Sequence, residues 1–274
     1  MKNGGIFASE NEQKSIQMTL HAHKMKSIEA PARLFDIMIR RGRDNNRRPC
    51  FRYRGEEMMA DTYRRQVDNL SHALLLRGMK RGEAVALVSE NRPEWNVIDM
   101  AVMQAGGVLL PLCKGLSAEE YTECLCKAGV RLMFLEDEEL YGRFRLILPQ
   151  IDTLEFLLSI EPVPTAVPLE RLLVEGRVNA NPAELERRRS LITTDDICTL
   201  VYSGGGTYRR ITHKSLIEDV MEQSATETYR RQAAAGNNAL CTLYGRTKNY
   251  VCQLVGRTVN YPSPEIELER RAVA

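Results

Sequence analysis

From Pro31 onward the apolar residues recur at three-to-four-residue spacing in some runs and crowd into short continuous runs in others. Leu34, Phe35, Met38 and Ile39 form the stripe of a first helix. Residues 50–59 read as a hairpin turning near Arg54 and Gly55. Tyr63, Val67, Leu70 and Leu74 recur at helical spacing, and Gly78 and Gly82 bracket the exit into a strand over Ala84–Val88. Pro93 opens a helix carrying Trp95, Ile98 and Val102, Gly106 and Gly107 end it, and Val108–Leu112 is the next strand. Ser117 with Glu120 matches a capping box for a helix reaching Ala128, and a strand follows over Leu132–Leu135. Residues 144–148 and 154–160 continue the rhythm less regularly. Pro162, Pro164 and Pro168 mark a surface crossing, and residues 184–189 form a charged helix or linker. Such alternation of strands with long crossovers predicts an α/β fold, a mainly parallel sheet flanked by helices.

The next stretch carries the candidate chemistry. Ile197–Tyr202 is almost wholly apolar or β-branched, as in a strand covered on both faces. Ser203, Gly204, Gly205, Gly206 and Thr207 then release the chain into a loop. Glycine N–H groups are unshielded by any Cβ, and with the two flanking hydroxyls they can wrap an anionic oxygen; phosphate is the natural guest. Thr212 can cap a following helix with Leu216, Ile217, Val220 and Met221 as its stripe, which would bring an electropositive helix end near the loop. Arg209 and Arg210 are candidates for a local positive charge. The alternative is a plain glycine turn joining strand to helix. That helix is expected to end near Ala235, with Asn237 and Asn238 turning the chain toward residues 250–255 and 258–261.

Composition narrows the field. A chain of 274 residues with 43% hydrophobic content can bury a full core, and 38 basic against 36 acidic residues leave a net charge of +2, too little to hold nucleic acid. The arginine pairs at 47–48, 230–231 and 270–271 read as solvated faces. Seven cysteines, odd in number and irregularly spaced, argue for free thiols in a reducing compartment, so the cytoplasm is the expected location. Cys124 and Cys126 lie two apart on a helix and face different ways. His21 and His23 have no third ligand nearby, His72 reads as a partly exposed helix residue, and Trp95 as core. No run approaches the length of a membrane span, and no signal-type segment opens the chain.

Several segments together resemble long-chain acyl-CoA synthetases of the AMP-binding, adenylate-forming superfamily. They are the run 81–95 (Arg-Gly-Glu-Ala-Val-Ala-Leu-Val-Ser-Glu-Asn-Arg-Pro-Glu-Trp), Ala105 to Val108, and Leu116 to Glu120. Thr194-Asp195-Asp196 before the glycine loop, Thr212-His213-Lys214-Ser215-Leu216 after it, Tyr244-Gly245-Arg246-Thr247 and residues 250–256 follow in the same order. The resemblance covers residues 31–261. It implies a two-step ligase: a fatty acid carboxylate attacks the α-phosphate of ATP to give acyl-AMP and pyrophosphate, and coenzyme A then takes the acyl group. It further implies Mg2+ bridging the phosphates. In this reading residues 1–29 are a loose leader, 30–261 a truncated adenylation domain and 262–274 a tail.

The sequence departs from the family pattern in three places. The family loop reads Tyr-Thr-Ser-Gly-Thr-Thr-Gly, then Pro-Lys-Gly; here the path from Tyr202 to His213 has no proline or lysine and is about four residues shorter, up to roughly 13 Å of chain. The segment 239–244 is compressed and lacks the histidine that borders the family's acyl pocket. The family's adenine and ribose motifs, magnesium-binding glutamate, hinge aspartate and catalytic lysine have no counterpart in these residues. The resulting expectation is a fatty acid CoA ligase relative that does not turn over alone. The alternatives are a nucleotide- or acyl-binding module, or a partner to a separate C-terminal half or a full-length ligase.

Overall fold

A computed structural model describes residues 29–44, 48–226 and 238–262. Expectations for His21, His23, the leader up to residue 28, Arg47, Arg230, Arg231, Ala235, Asn237, Arg270, Arg271 and the tail from residue 263 lie outside the described residues. The elements all belong to the unit Ala32–Ala274.

Helix α1 (Asp36–Asp44) leads into a hairpin, β1 (Pro49–Tyr53) and β2 (Glu56–Met59), turning at Arg54 and Gly55, both at positive φ. Then come α2 (Ala60–Leu76), β3 (Ala84–Val88), α3 (Pro93–Gln104), β4 (Val108–Leu112), α4 (Ala118–Lys127), β5 (Leu132–Leu135) and α5 (Glu138–Phe144). The chain continues through β6 (Phe156–Ser159), β7 (Val167–Pro168), α6 (Leu169–Val178), α7 (Pro182–Ser190), β8 (Ile197–Tyr202), β9 (Tyr208–Thr212), α8 (His213–Ala225), α9 (Leu243–Leu254) and β10 (Val259–Asn260). Seven strands form one sheet in the order β7-β6-β5-β3-β4-β8-β9, parallel throughout except for β9. A small second sheet places β1 between β10 and β2.

The alternation along β3 explains the layers. Val85 and Leu87 join one core with Trp95, Ile98 and Val102 of α3, Leu172 of α6, Val220 of α8 and Val251 of α9. Ala84, Ala86 and Val88 join the other with Tyr121 and Leu125 of α4 and Leu140 and Phe144 of α5. A strand buried on both faces reads as a continuous apolar run, which is why β3, β4 and β5 were visible in sequence. The capping box of α4 forms as expected, Ser117 accepting from the Glu120 N–H while the Glu120 carboxylate accepts from the Ser117 N–H.

Local readings change at several points. Phe144 ends α5, whose start is fixed by Asp137 Oδ1 accepting from the Leu140 N–H at 2.8 Å, so residues 144–148 are not a strand. Pro168 ends a two-residue edge strand, a place where a missing N–H costs no ladder bond. His72 is buried, with Nδ1 accepting from the Asn181 N–H at 3.4 Å.

The free-thiol expectation also fails for one pair. Cys113, just after β4, is disulfide-bonded to Cys241, just before α9, across 128 positions with Cα atoms 5.2 Å apart. The spacing of the cysteines carried no sign of this, because sheet and helix packing bring the two together. Cys50, Cys124, Cys198 and Cys252 stay free and buried, and Cys126 free and exposed. A cross-link closing so long a loop constrains the unfolded chain strongly. Opening it with dithiothreitol, or by Cys113→Ser, is expected to lower unfolding stability by about 2–4 kcal/mol, read as a lower urea midpoint with a steeper slope, since the released unfolded chain exposes more surface.

A candidate phosphate site in the glycine turn

The glycine loop is the tip of an antiparallel hairpin. Tyr202 pairs with Tyr208, Val201 with Arg209 and Leu200 with Arg210. This corrects the strand-to-helix reading: β9 carries the chain back along the sheet before α8 begins. Thr212 does cap α8, its Oγ1 accepting from the Ser215 N–H at 3.1 Å. The four steps of β9 put that helix end roughly 14 Å from the turn, so the helix dipole does not serve the loop.

Within the turn the Ser203 N–H donates to the Thr207 carbonyl and the Thr207 N–H to the Gly204 carbonyl, both at 3.1 Å. The Ser203 and Thr207 hydroxyls lie 2.9 Å apart, and Thr207 Oγ1 donates to the Gly204 carbonyl at 2.7 Å. Gly204, Gly205 and Gly206 have φ of 89°, 56° and 63°, three consecutive left-handed residues that only glycine adopts without strain. Among the described residues their three N–H groups carry no hydrogen bond. The turn therefore closes through its hydroxyls and offers three unshielded donors at the tip.

Sequence reading did not find the cation that reaches this tip. Lys127, the last residue of α4, donates through Nζ to the Gly205 carbonyl at 3.4 Å and pairs with Glu123 at 2.8 Å. A Cβ on Gly206 would stand 2.2 Å from that Nζ. The hairpin is anchored to the same helix by a hydrogen bond from the Tyr208 hydroxyl to the Cys124 carbonyl. Strand alternation sends Arg209 and Arg210 to opposite faces. Arg210, opposite Leu200, shares the α4 side with Tyr202 and Tyr208, whereas Arg209 does not, and both are exposed.

This donor set suits an anion. Two hydroxyls bonded to each other and one carboxylate already paired with Lys127 do not fit a divalent cation held by the protein, which prefers several free oxygens. Among the described residues no group of three or more His, Cys, Asp or Glu side chains is placed to hold a metal ion.

A second polar cluster sits at the carboxyl ends of β3, β4 and β5, where the strand order reverses and open α/β sheets form their binding crevice. Lys114 reaches Glu136 at 2.5 Å and Glu90 at 3.7 Å. Arg92 reaches Glu161 at 2.8 Å, Glu94 at 2.9 Å and Glu136 at 3.4 Å. Burial works against the Glu136 charge, yet the Glu90 N–H and the Lys114 ammonium hold its carboxyl below the ordinary range. Asn91 accepts from the Leu240 N–H and donates to the Asn238 carbonyl, each at 2.8 Å. With the Cys113–Cys241 bond beside it, the segment 238–241 lies pinned to this end of the sheet. The first part of the compressed segment, residues 239–241, is thus a tether to this end of the sheet.

Under the sheet, a buried network joins three elements. Arg246 of α9 bonds Asp99 of α3 at 2.7 Å, the Thr199 hydroxyl of β8 at 2.6 Å and the Tyr250 hydroxyl at 3.0 Å, and lies 5.5 Å from the Trp95 ring. Burial raises the Asp99 carboxyl against the pull of Arg246, and Asp99 raises Arg246 against its own burial. Thr199, inside an otherwise apolar strand, was the sequence sign of a polar partner. His213 is likewise buried, with Nδ1 accepting from the Leu34 N–H at 3.3 Å, and burial pushes it down to about 4. Between pH 6.5 and 4 the unfolded chain binds the proton that the folded chain refuses, so stability falls with pH through that window. His213→Gln should remove a slope of up to about 1.4 kcal/mol per pH unit there, measurable by urea unfolding at stepped pH.

The model of the AMP-binding enzyme family matches residues 39–273. The chain belongs to that family. Long-chain-fatty-acid--CoA ligase FadD15 of Mycobacterium bovis is 27% identical over 160 residues, 57% of this chain and 26% of its own length. Fatty acyl-CoA synthetase A of Dictyostelium discoideum is 24% identical over 171 residues, 57% of this chain and 24% of its own. The chain thus spans about a quarter of the length of these curated relatives. Among solved structures, a Rhodopseudomonas palustris protein named as a long-chain-fatty-acid CoA ligase superposes with a TM-score of 0.70 at 19% identity, covering 84% of this chain and 57% of that one. VinN in complex with L-aspartate gives 0.66 at 17%, covering 89% and 67%. At such identities the likeness is one of fold, and it bears out the parallel sheet flanked by helices. No helix among the described residues is long and apolar enough to cross a membrane.

Proposed function

We propose that this AMP-binding chain carries the phosphate-holding front part of a fatty acid CoA ligase, an enzyme that couples ATP-dependent acyl adenylation to thioester formation with coenzyme A. The observation that carries the reading is the glycine turn at the tip of β8 and β9: three free N–H donors between two hydroxyls, on an adenylate-forming fold. Adenylyl transfer depends on holding and neutralising phosphate oxygens, and backbone donors fixed in advance do this without reorganisation. Gly204, Gly205 and Gly206 are the residues proposed to touch phosphate through their N–H groups, with Ser203 and Thr207 closing the turn that presents them; Arg210, on the α4 face, is better placed to assist than Arg209. Any Mg2+ would arrive with the phosphates. A long-chain fatty acid and coenzyme A are the co-substrates of the whole activity.

The reading includes low or absent turnover by this chain alone. The turn's hydroxyls are spent on one another and on the Gly204 carbonyl, and the segment 238–241 is tied across the sheet end. A pyrophosphate-release assay with ATP, palmitate and coenzyme A is expected to stay at background, while ATP binds measurably by calorimetry; steady turnover would overturn the inactive part of the reading, and absence of ATP binding the whole of it. Turnover restored by adding a separately produced C-terminal half would support the partner alternative. A cytoplasmic setting belongs to the same reading, and the Cys113–Cys241 bond is an observation against it.

A further inference from the structure

The glycine turn supplies donors but no charge. Its two hydroxyls are neutral, and the nearest arginine on its α4 face is two strand positions down β9. The charge at the tip comes from a different element, 78 positions away in sequence: the Lys127 ammonium, within 3.4 Å of the Gly205 carbonyl and against the open side of Gly206. As the last residue of α4 it sits where a helix favours a cation. Half-exposed, it is free to pivot on its stem, and a neutral carbonyl is a weaker partner for it than an anion.

We propose that Lys127 is the cation of this phosphate site: an anion seated on the N–H groups of Gly204, Gly205 and Gly206 draws the ammonium off the Gly205 carbonyl and onto its own oxygens. The inference rests on the reading of the turn as a phosphate site and adds to it a residue from outside the loop. It also assigns Glu123 a role. Its carboxylate holds the same ammonium at 2.8 Å and so competes with the ligand. A polyphosphate, carrying several charges past a single turn, gains more from this ammonium than a carboxylate does.

Calorimetric titration of MgATP into the full chain tests this, with circular dichroism confirming that each variant is folded. Lys127→Met is expected to weaken binding about five- to tenfold, and Lys127→Arg, which keeps the charge, to stay within about threefold of wild type. Glu123→Gln should tighten binding about two- to threefold, and the Lys127→Met gap should narrow as salt rises. Arg171→Met, at an exposed position of α6, serves as the neutral comparison. If wild type binds and Lys127→Met binds equally well, the role of Lys127 is overturned and the turn stands. If wild type binds no ATP, the phosphate reading of the turn falls and this inference with it.

Discussion

Arg246→Met is expected to cost about 3–5 kcal/mol of unfolding stability, because it leaves the Asp99 carboxylate in the core without its cation. Asp99 is fully buried, and Arg246 is 1% exposed. Their 2.7 Å pair is the link by which α9 holds α3, and the second guanidinium arm holds β8 through Thr199. The double variant Asp99→Leu with Arg246→Met removes both charges and should recover most of the loss, since a buried ion pair is worth little relative to an apolar replacement but much relative to half of itself. Urea unfolding of the two singles and the double gives the coupling directly. A loss below about 1 kcal/mol for Arg246→Met would show that the network is not a structural link.

The second large effect is steric. α6 crosses α2 so closely that a Cβ on Gly176 would lie 1.8 Å from the Asn69 carbonyl oxygen and 3.0 Å from the Ala73 nitrogen. These are backbone atoms inside a helix and cannot step aside, so Gly176→Ala must push the helices apart. The expected cost is about 3 kcal/mol, at the upper end of overpacking penalties. Gly142 in α5 has no atom beyond its own stretch of helix backbone within 4 Å of such a Cβ, and Gly142→Ala there should be neutral or stabilise by up to about 1 kcal/mol through helix propensity. Thermal unfolding of both variants separates the packing effect from the intrinsic preference. Equal melting temperatures would contradict the close crossing.

How much of this was legible in the sequence follows from the range of the interactions. The strands β3, β4 and β5 declare themselves because both faces are apolar, and the caps of α4 and α8 because cap and helix start lie within three residues of each other. β9 hid because Tyr-Arg-Arg-Ile-Thr has two exposed arginines at its centre, as expected of an edge strand but not of a core one. Its weak sign was the β-branched and aromatic set Tyr208, Ile211 and Thr212. The glycines were seen, but their setting was not: a hairpin tip offers the same free N–H groups as a helix-start loop without the helix end. Lys127, Asp99 and Cys241 act on partners 78, 147 and 128 positions distant, and such meetings are settled by the packing of whole elements.

The account stands most directly on the three glycine N–H groups of the turn. Amide chemical shifts of the isotopically labelled chain, followed as MgATP is added and then adenosine in a separate titration, read them one by one. The prediction is that Gly204, Gly205 and Gly206 move together and saturably with MgATP and stay still with adenosine, which has no phosphate. Movement confined to other residues, or an equal response to adenosine, would contradict the assignment of the turn as the phosphate site.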